Sequence, residues 1–358
     1  MNNFVLDFEK PLAELQQKID ELQSLSSSNR LDVSGEIKSL TERLNEMREK
    51  IHASLTPWQR VQLARHPQRP HTLDFIEQLF TEFLELAGDR RFKDDKAIVG
   101  GFAKFNGSPV MVIGTQKGRD MKDNMMRNFG WPNPEGYRKA MRLMHLADRA
   151  GVPIVTFIDT PGAFPGITSE ERHIAEAIAV NLRDMFSLKV PVLCVIIGEG
   201  GSGGALGIGV GNRLLVMENA YYSVITPEGC AAILWKDRAF APQAAEALNL
   251  TARKLLELKV ADDIILEPVG GAHSDPAKAI AEVGKAIAAH LKQLAKLDGE
   301  ELKRQRYEKF RAMGTLLIAP AAAETDRPAP AKKAAAAAKT AAVKTAAKTT
   351  RAKSAKAK

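Results

Sequence analysis

Apolar residues recur at spacings of three and four along the first fifty residues. Leu12, Leu15, Ile19 and Leu22 form one set, and Ile37, Leu40, Leu44, Met47 and Ile51 form another. With Glu, Lys and Arg between them, they predict two amphipathic helices folding back around Ser26-Ser27-Ser28-Asn29. Thr56-Pro57 reads as a cap followed by proline at a first helical position, and Pro67 and Pro70 close that stretch. From about residue 71 the period changes repeatedly. Residues 73–86 predict an amphipathic helix capped by Thr72. Residues 97–105 and 109–113 flank Asn106-Gly107, the dipeptide of a type I′ hairpin. Residues 136–150 are helical in pattern, with a Met141/Met144 stripe suited to a core. The apolar runs 152–158 and 190–197 read as strands covered on both faces, and 213–217 as a third strand. Thr168-Ser169-Glu170-Glu171 has the form of a capping box and predicts a helix reaching Leu188. Further helices are predicted over 227–235, 251–258 and 276–297. This alternation predicts an α/β layered fold with parallel strands.

Composition adds limits. The 358 residues are 45% hydrophobic and 26% charged, which is ordinary for a globular protein. No apolar run is long enough for a membrane helix. The opening MNNFVLDFEK lacks the basic start and apolar core of a secretory signal, so a cytoplasmic protein is expected. Two cysteines, Cys194 and Cys230, make neither a disulfide framework nor a four-cysteine zinc site. The net charge of +8 suggests nucleic acid until it is located: the last forty residues hold ten Lys or Arg against two acids, which leaves the body neutral. That tail, 319–358, is rich in alanine with almost nothing apolar that is larger, and is expected to be disordered. Contact with nucleic acid is expected to be non-specific at most, through this tail. Three regions follow: a helical assembly region over 1–70, an α/β body over 71–318, and the basic tail.

Two glycine-rich turns each follow a buried strand: Asp159-Thr160-Pro161-Gly162-Ala163-Phe164-Pro165-Gly166, and Gly198-Glu199-Gly200-Gly201-Ser202-Gly203-Gly204-Ala205-Leu206-Gly207. Ligands of open α/β sheets bind where such loops lie, and glycine lets bare backbone approach them. Several chemistries remain open. Gly198-x-Gly200-x-x-Gly203 with Glu218 downstream satisfies a dinucleotide pattern, although the following helix is short and interrupted by glycines. Gly200-x-Ser202-x-Gly204 has the form of a nucleophile elbow, with Asp262, Asp263 and His273 following in hydrolase order. Asp159-Thr160-Pro161-Gly162 looks like a GTPase motif, but the chain has no phosphate loop. A fourth reading uses backbone N–H groups at a helix start to hold a developing oxyanion, which needs no histidine, cysteine or metal. The seven histidines are scattered along the sequence and read as surface or helix-end residues.

The segments ARHPQRPHTLDFI (64–76), ELAGDR (85–90), DDKAIVGG (94–101), QKGRD (116–120), NFGWPNPEGYRKA (128–140), FIDTPGAFPG (157–166), GEGGSGGALGIG (198–209) and SVITPEGCAAILW (223–235) together carry a resemblance. Over about residues 1–318, the chain resembles the carboxyltransferase alpha-subunit family of multisubunit bacterial acetyl-CoA carboxylase. The resemblance implies a crotonase-like (ClpP/crotonase) spiral core. It implies a zinc-ribbon beta subunit in an α2β2 assembly, a biotin carboxyl carrier protein, and a separate biotin carboxylase that uses the ATP. The reaction implied moves a carboxyl group from carboxybiotin to acetyl-CoA, giving malonyl-CoA for fatty-acid synthesis. Carried over by motif, the N–H groups of Gly203 and Gly204 form an oxyanion hole, with Ala205 as a further donor. Gly162, Phe164 and Gly166 shape the carboxybiotin wall. No metal is expected in this chain. Asp159 is a weaker candidate that ties loop amides together, and Lys117, Arg119, Lys122 and Arg127 either meet CoA phosphates or form a solvated surface.

Overall fold

Strands and helices alternate as the pattern requires, and the long apolar runs lie at the centre of one sheet. The computed structural model describes residues 4–29 and 33–314. The expected disordered tail therefore lies outside the described residues, while the break expected around Ser26–Asn29 is corrected, because the first helix, Lys10–Asn29, runs through those residues. Eight strands make the sheet: β1 (Thr81–Glu85), β2 (Ile98–Phe105), β3 (Ser108–Thr115), β4 (Ile154–Thr160), β5 (Val192–Gly201), β6 (Arg213–Met217), β7 (Tyr221–Ser223) and β8 (Asp263–Ile265). Their order is β1-β2-β3-β4-β5-β6-β8, with β7 paired to the end of β5. The first three are antiparallel, and β3 to β8 run parallel. β4 and β5 are buried along their whole length, as their unbroken apolar sequences demand. The hairpin forms as expected, with Asn106 at φ 49° and Gly107 at φ 80°.

The N-terminal helices Lys10–Asn29 and Ser34–Ala53 pack through Leu12, Leu15, Ile19 and Leu44. Residues Met1–Met313 cluster as one compact unit. Among the described residues, no helix is long and apolar enough to cross a membrane. The C-terminal helix Gly299–Arg311 is fastened to the sheet by Arg306, which is wholly buried. Its guanidinium donates to the carbonyls of Met185, Leu188 and Val190 at 2.6, 2.9 and 3.2 Å, and to Asn212 Oδ1 at 2.6 Å.

Two expected helices are corrected. The segment 73–86 divides into the helix Thr72–Leu79 and strand β1. Thr72 is its first residue and not its cap; its hydroxyl donates to the Thr115 carbonyl, while Asp74 takes the His71 N–H. β1 lies across Gly101, where a Cβ would sit 1.9 Å from the Leu84 carbonyl oxygen, so the missing side chain makes room for the strand. The helix expected from Thr168 to Leu188 breaks into Ile167–Glu170 and Ile174–Met185 at His173, whose φ is 64°. The break is pinned by Arg172: its side chain pairs with Glu135 at 2.7 Å, and its carbonyl accepts from Arg138 at 3.1 Å.

Candidate functional site

The carboxyl ends of β3, β4 and β5 meet at one edge of the sheet, and both glycine turns leave from there. The β4 turn carries Pro161, Gly162 and Ala163, and the β5 turn becomes the short helix Ser202–Leu206. The two turns touch backbone to backbone. A Cβ on Gly201 would fall 2.1 Å from the Pro161 carbonyl oxygen, and one on Gly204 would fall 2.4 Å from Ala163 N and Gly162 C. Gly162 has φ 151° and packs between Trp131 and Ser202, where any side chain would be strained and crowded. Gly203 differs. Its Cβ would meet nothing nearer than Ile178 Cδ1 at 3.7 Å, and the residue is partly exposed. As members of a first helical turn, Gly203 and Gly204 have N–H groups without an intrahelical acceptor. Gly204 and Ala205 are buried. Phe164 is half-buried, with its N–H on the Pro132 carbonyl, and its ring lies where a Cβ on Gly166 would be.

A buried charge network lies beneath the turns. Lys117 Nζ bridges Asp159 Oδ1 at 2.6 Å and Glu199 Oε2 at 2.8 Å. Glu199 Oε1 also receives Arg65 Nε and the Tyr221 hydroxyl, both at 2.7 Å, and Arg65 reaches on to Glu228. Asp159 Oδ1 accepts the Glu199 N–H at 2.9 Å, so it ties a loop amide of the neighbouring turn. The Thr115 hydroxyl fixes the Asp159 N–H at 2.6 Å. Burial pushes the Glu199 carboxyl up, but Lys117 and Arg65 more than offset it and hold it at about 2. Lys117 is thereby raised despite burial. These groups come from six separate segments; of them only Asp159 and Lys117 carry a role in the sequence reading, Lys117 as a phosphate contact and not as part of a buried network. The one local signal for Glu199 was a charged residue inside a glycine run.

The same placements decide the alternatives. Lys117 is committed to Asp159 and Glu199; Arg119 to Asp74 and the carbonyls of Pro67 and Arg69; Arg127 to Asp123 and the Lys96 carbonyl. Of the four basic residues proposed for phosphates, Lys122 alone lies exposed and without such a commitment among the described residues. The dinucleotide pattern fails because Gly198, Gly200 and Gly201 belong to strand β5 and the helix after it has five residues. Glu218 points elsewhere, accepting the Glu267 N–H. The hydrolase order fails as well. Ser202 has the φ of 55° that an elbow shows, but His273 stacks on His66 and pairs with Glu9, while Asp262 holds Leu214 N and Lys309.

A model of the acetyl co-enzyme A carboxylase carboxyltransferase-like family matches residues 5–314. The acetyl-coenzyme A carboxylase carboxyl transferase subunit alpha of Geobacillus kaustophilus is 57% identical over 315 residues, 88% of this chain and 97% of that protein. The subunit of the same name from Thermus thermophilus is 56% identical over 86% of this chain and 98% of its own length. The Synechococcus elongatus subunit is 54% identical over 87% and 96%. Among solved structures, transcarboxylase 12S with methylmalonyl-coenzyme A bound superposes with a TM-score of 0.52 at 20% identity, over 64% of this chain and 42% of that one. That likeness is one of fold.

Proposed function

The chain belongs to the acetyl-coenzyme A carboxylase carboxyltransferase alpha-subunit family, and from that premise we propose that its two glycine turns hold the biotin ureido group while a beta subunit presents acetyl-CoA. It is one subunit of a biotin-dependent carboxyltransferase and works with other subunits. The observation that carries the reading is the tight contact of Gly201 and Gly204 with the first turn, beside which Gly203 alone stays open. That contact fixes the direction of the Gly203 and Gly204 amides before any ligand arrives. Such preorganised donors stabilise a developing oxyanion, each by about 3 kcal/mol of barrier. When bound, carboxybiotin would supply the activated carboxyl group. The N–H groups of Gly203 and Gly204 would donate hydrogen bonds to its ureido oxygen as that oxygen gains negative charge, and Gly162, Phe164 and Gly166 would wall the ring. The Asp159–Lys117–Glu199 network holds the two turns in register from below.

In this reading the other components are a zinc-ribbon beta subunit in an α2β2 assembly, a biotin carboxyl carrier protein, and a biotin carboxylase that spends the ATP, all in the cytoplasm. Met121, Met125, Met126 and Phe129 are exposed on the segment that leads to Trp131, which packs on Gly162, and exposed Ile167 follows Gly166; exposed apolar residues of this kind suit a partner subunit. The test is co-expression with the matching beta subunit and a biotin-dependent malonyl-CoA assay. The chain alone is expected to be inactive and the pair active; an inactive pair with an intact interface overturns the reading. Ser202→Ala is expected to keep activity within about threefold, because no serine nucleophile takes part. A loss of about a thousandfold or more, the scale of a true nucleophile, counts against the mechanism.

A further inference from the structure

Positive charge without a counter-charge collects along one face of the helix Pro134–Ala150. Arg138, Arg142, His145 and Arg149 recur at spacings of four, three and four, so they share that face. They line a groove of about 580 Å³, together with the loop carrying Arg90 and Arg91 and with the helix Ile174–Met185. Six arginines and three carboxylates face it in all. Two of the carboxylates are already committed. Asp89 is buried, pairs with Arg138 at 2.9 Å and accepts the Arg91 and Phe92 N–H groups. Asp184 lies 2.7 Å from Arg183 and 3.5 Å from His145. The third, Glu176, is exposed. Arg90, Arg91, Arg142 and Arg149 are left with no carboxylate in salt-bridge reach among the described residues. Arg142 donates to backbone instead, to the carbonyls of Gly88, Ala87 and Leu86 at 3.1, 3.2 and 3.3 Å. Those bonds fasten the loop of Arg90 and Arg91 to the helix. Burial and the neighbouring charge of Arg90 push the Arg142 guanidinium down from its ordinary pKa.

We propose that this groove binds an anion built of two or more linked phosphate groups, held by Arg90, Arg91, Arg142 and Arg149. Guanidinium groups donate to phosphate oxygens in a planar fork and stay charged at any working pH. Arg142 and Arg149 stand about two helical turns apart, roughly 10 Å along the axis. A lone carboxylate or phosphate satisfies one end of that row, whereas a chain of phosphates spans it and meets the loop arginines as well. The loop is set before any anion arrives: Gly88 and Arg90 take φ 79° and 63° on either side of the buried Asp89. The groove has the volume of a small-molecule site. None of its lining residues belongs to either glycine turn, so the site does not depend on the function proposed for them. The sequence reading looked for phosphate contacts at Lys117, Arg119 and Arg127, which are committed elsewhere. The uncommitted cations lie here instead.

The test is calorimetric titration of the full-length chain with sodium triphosphate in about 0.15 M salt, where loose surface attraction is screened. One equivalent is expected to bind with a dissociation constant of about 100 μM or tighter. Arg149→Gln, and separately Arg90→Gln with Arg91→Gln, are expected to weaken binding at least about tenfold. Lys122→Gln, which removes an exposed cation outside the groove, is expected to leave binding unchanged. All four of these side chains belong to exposed residues, so the variants are expected to melt as the wild type does. Competition then separates the sources of a phosphate chain. Displacement by ATP and not by coenzyme A marks a nucleotide site; displacement by coenzyme A marks a foothold for that molecule's diphosphate. Absence of saturable binding to the wild-type chain overturns the site. So does binding that both groove variants leave undiminished, which assigns the anion to the basic residues of 319–358.

Discussion

Replacing Gly203 by valine is expected to lower carboxyl transfer at least a hundredfold while leaving the fold and subunit assembly close to wild type. The asymmetry of the turn is the reason. A Cβ at Gly203 meets only Ile178, at 3.7 and 3.9 Å, so the chain itself tolerates a side chain there. Valine is also a better helix former than glycine. What the isopropyl group obstructs is the open side of the turn, where the amides of Gly203 and Gly204 are proposed to receive an oxygen. Losing the use of one such donor removes about a hundredfold to a thousandfold in rate. Gly204→Val behaves differently, because its Cβ would lie 2.4 Å from the Gly162 and Ala163 backbone and wedge the turns apart. That variant is expected to lose activity and stability together. Malonyl-CoA formation by the reconstituted complex, gel filtration and thermal melting separate the two results. Near-normal transfer by a well-folded Gly203→Val complex would sink the oxyanion assignment.

Lys117→Met is expected to destabilise the chain by about 3–5 kcal/mol at pH 7, the usual penalty for stranding a buried partner charge. At about 2.1 cal/mol/K per residue of unfolding entropy, that is a fall of roughly 5–8 °C in melting temperature. The ammonium lies between Asp159 and Glu199 at 2.6 and 2.8 Å, and without it two buried carboxylates face each other. The pH dependence has a definite sign. Glu199 has a folded value of about 2 against an ordinary 4.5, so its stabilising contribution is full above 4.5 and fades as pH falls toward 2. The variant loses one of the two cations that depress this carboxyl, so its deficit is largest at neutral pH and narrows as the solution is acidified and the carboxylates take protons. Adding Glu199→Gln to Lys117→Met is expected to recover part of the loss. Calorimetry of both variants between pH 7 and 4 makes the comparison; an unchanged melting temperature at pH 7 for Lys117→Met counts against the network.

Legibility in the sequence followed the range of the interaction. β4, β5 and β6 stand out because double-sided burial writes an unbroken apolar run, and the hairpin because Asn106 and Gly107 take the positive φ that their residue types permit. β1 was hidden because its apolar residues continue the pattern of the preceding helix; what makes it a strand is Gly101, a partner in another strand. β7 and β8, three residues each, are too short to have a period. At the site, the glycine turns were legible because close backbone approach is a local demand on residue type. Lys117, Arg65 and Tyr221 were not, because their partners are assembled only by the topology of the sheet. The histidines gathered around Glu9 escaped notice for the same reason.

Arg306 carries a consequence for how the protein is made. The carbonyls of Met185, Leu188 and Val190 wait for a guanidinium encoded more than a hundred positions later. While the ribosome is still translating the middle of the message, these polar groups beside β5 have no companion, and water must serve them. Closure of that flank therefore comes only after the helix Gly299–Arg311 clears the exit tunnel, and until then the nascent polypeptide carries an incompletely packed flank.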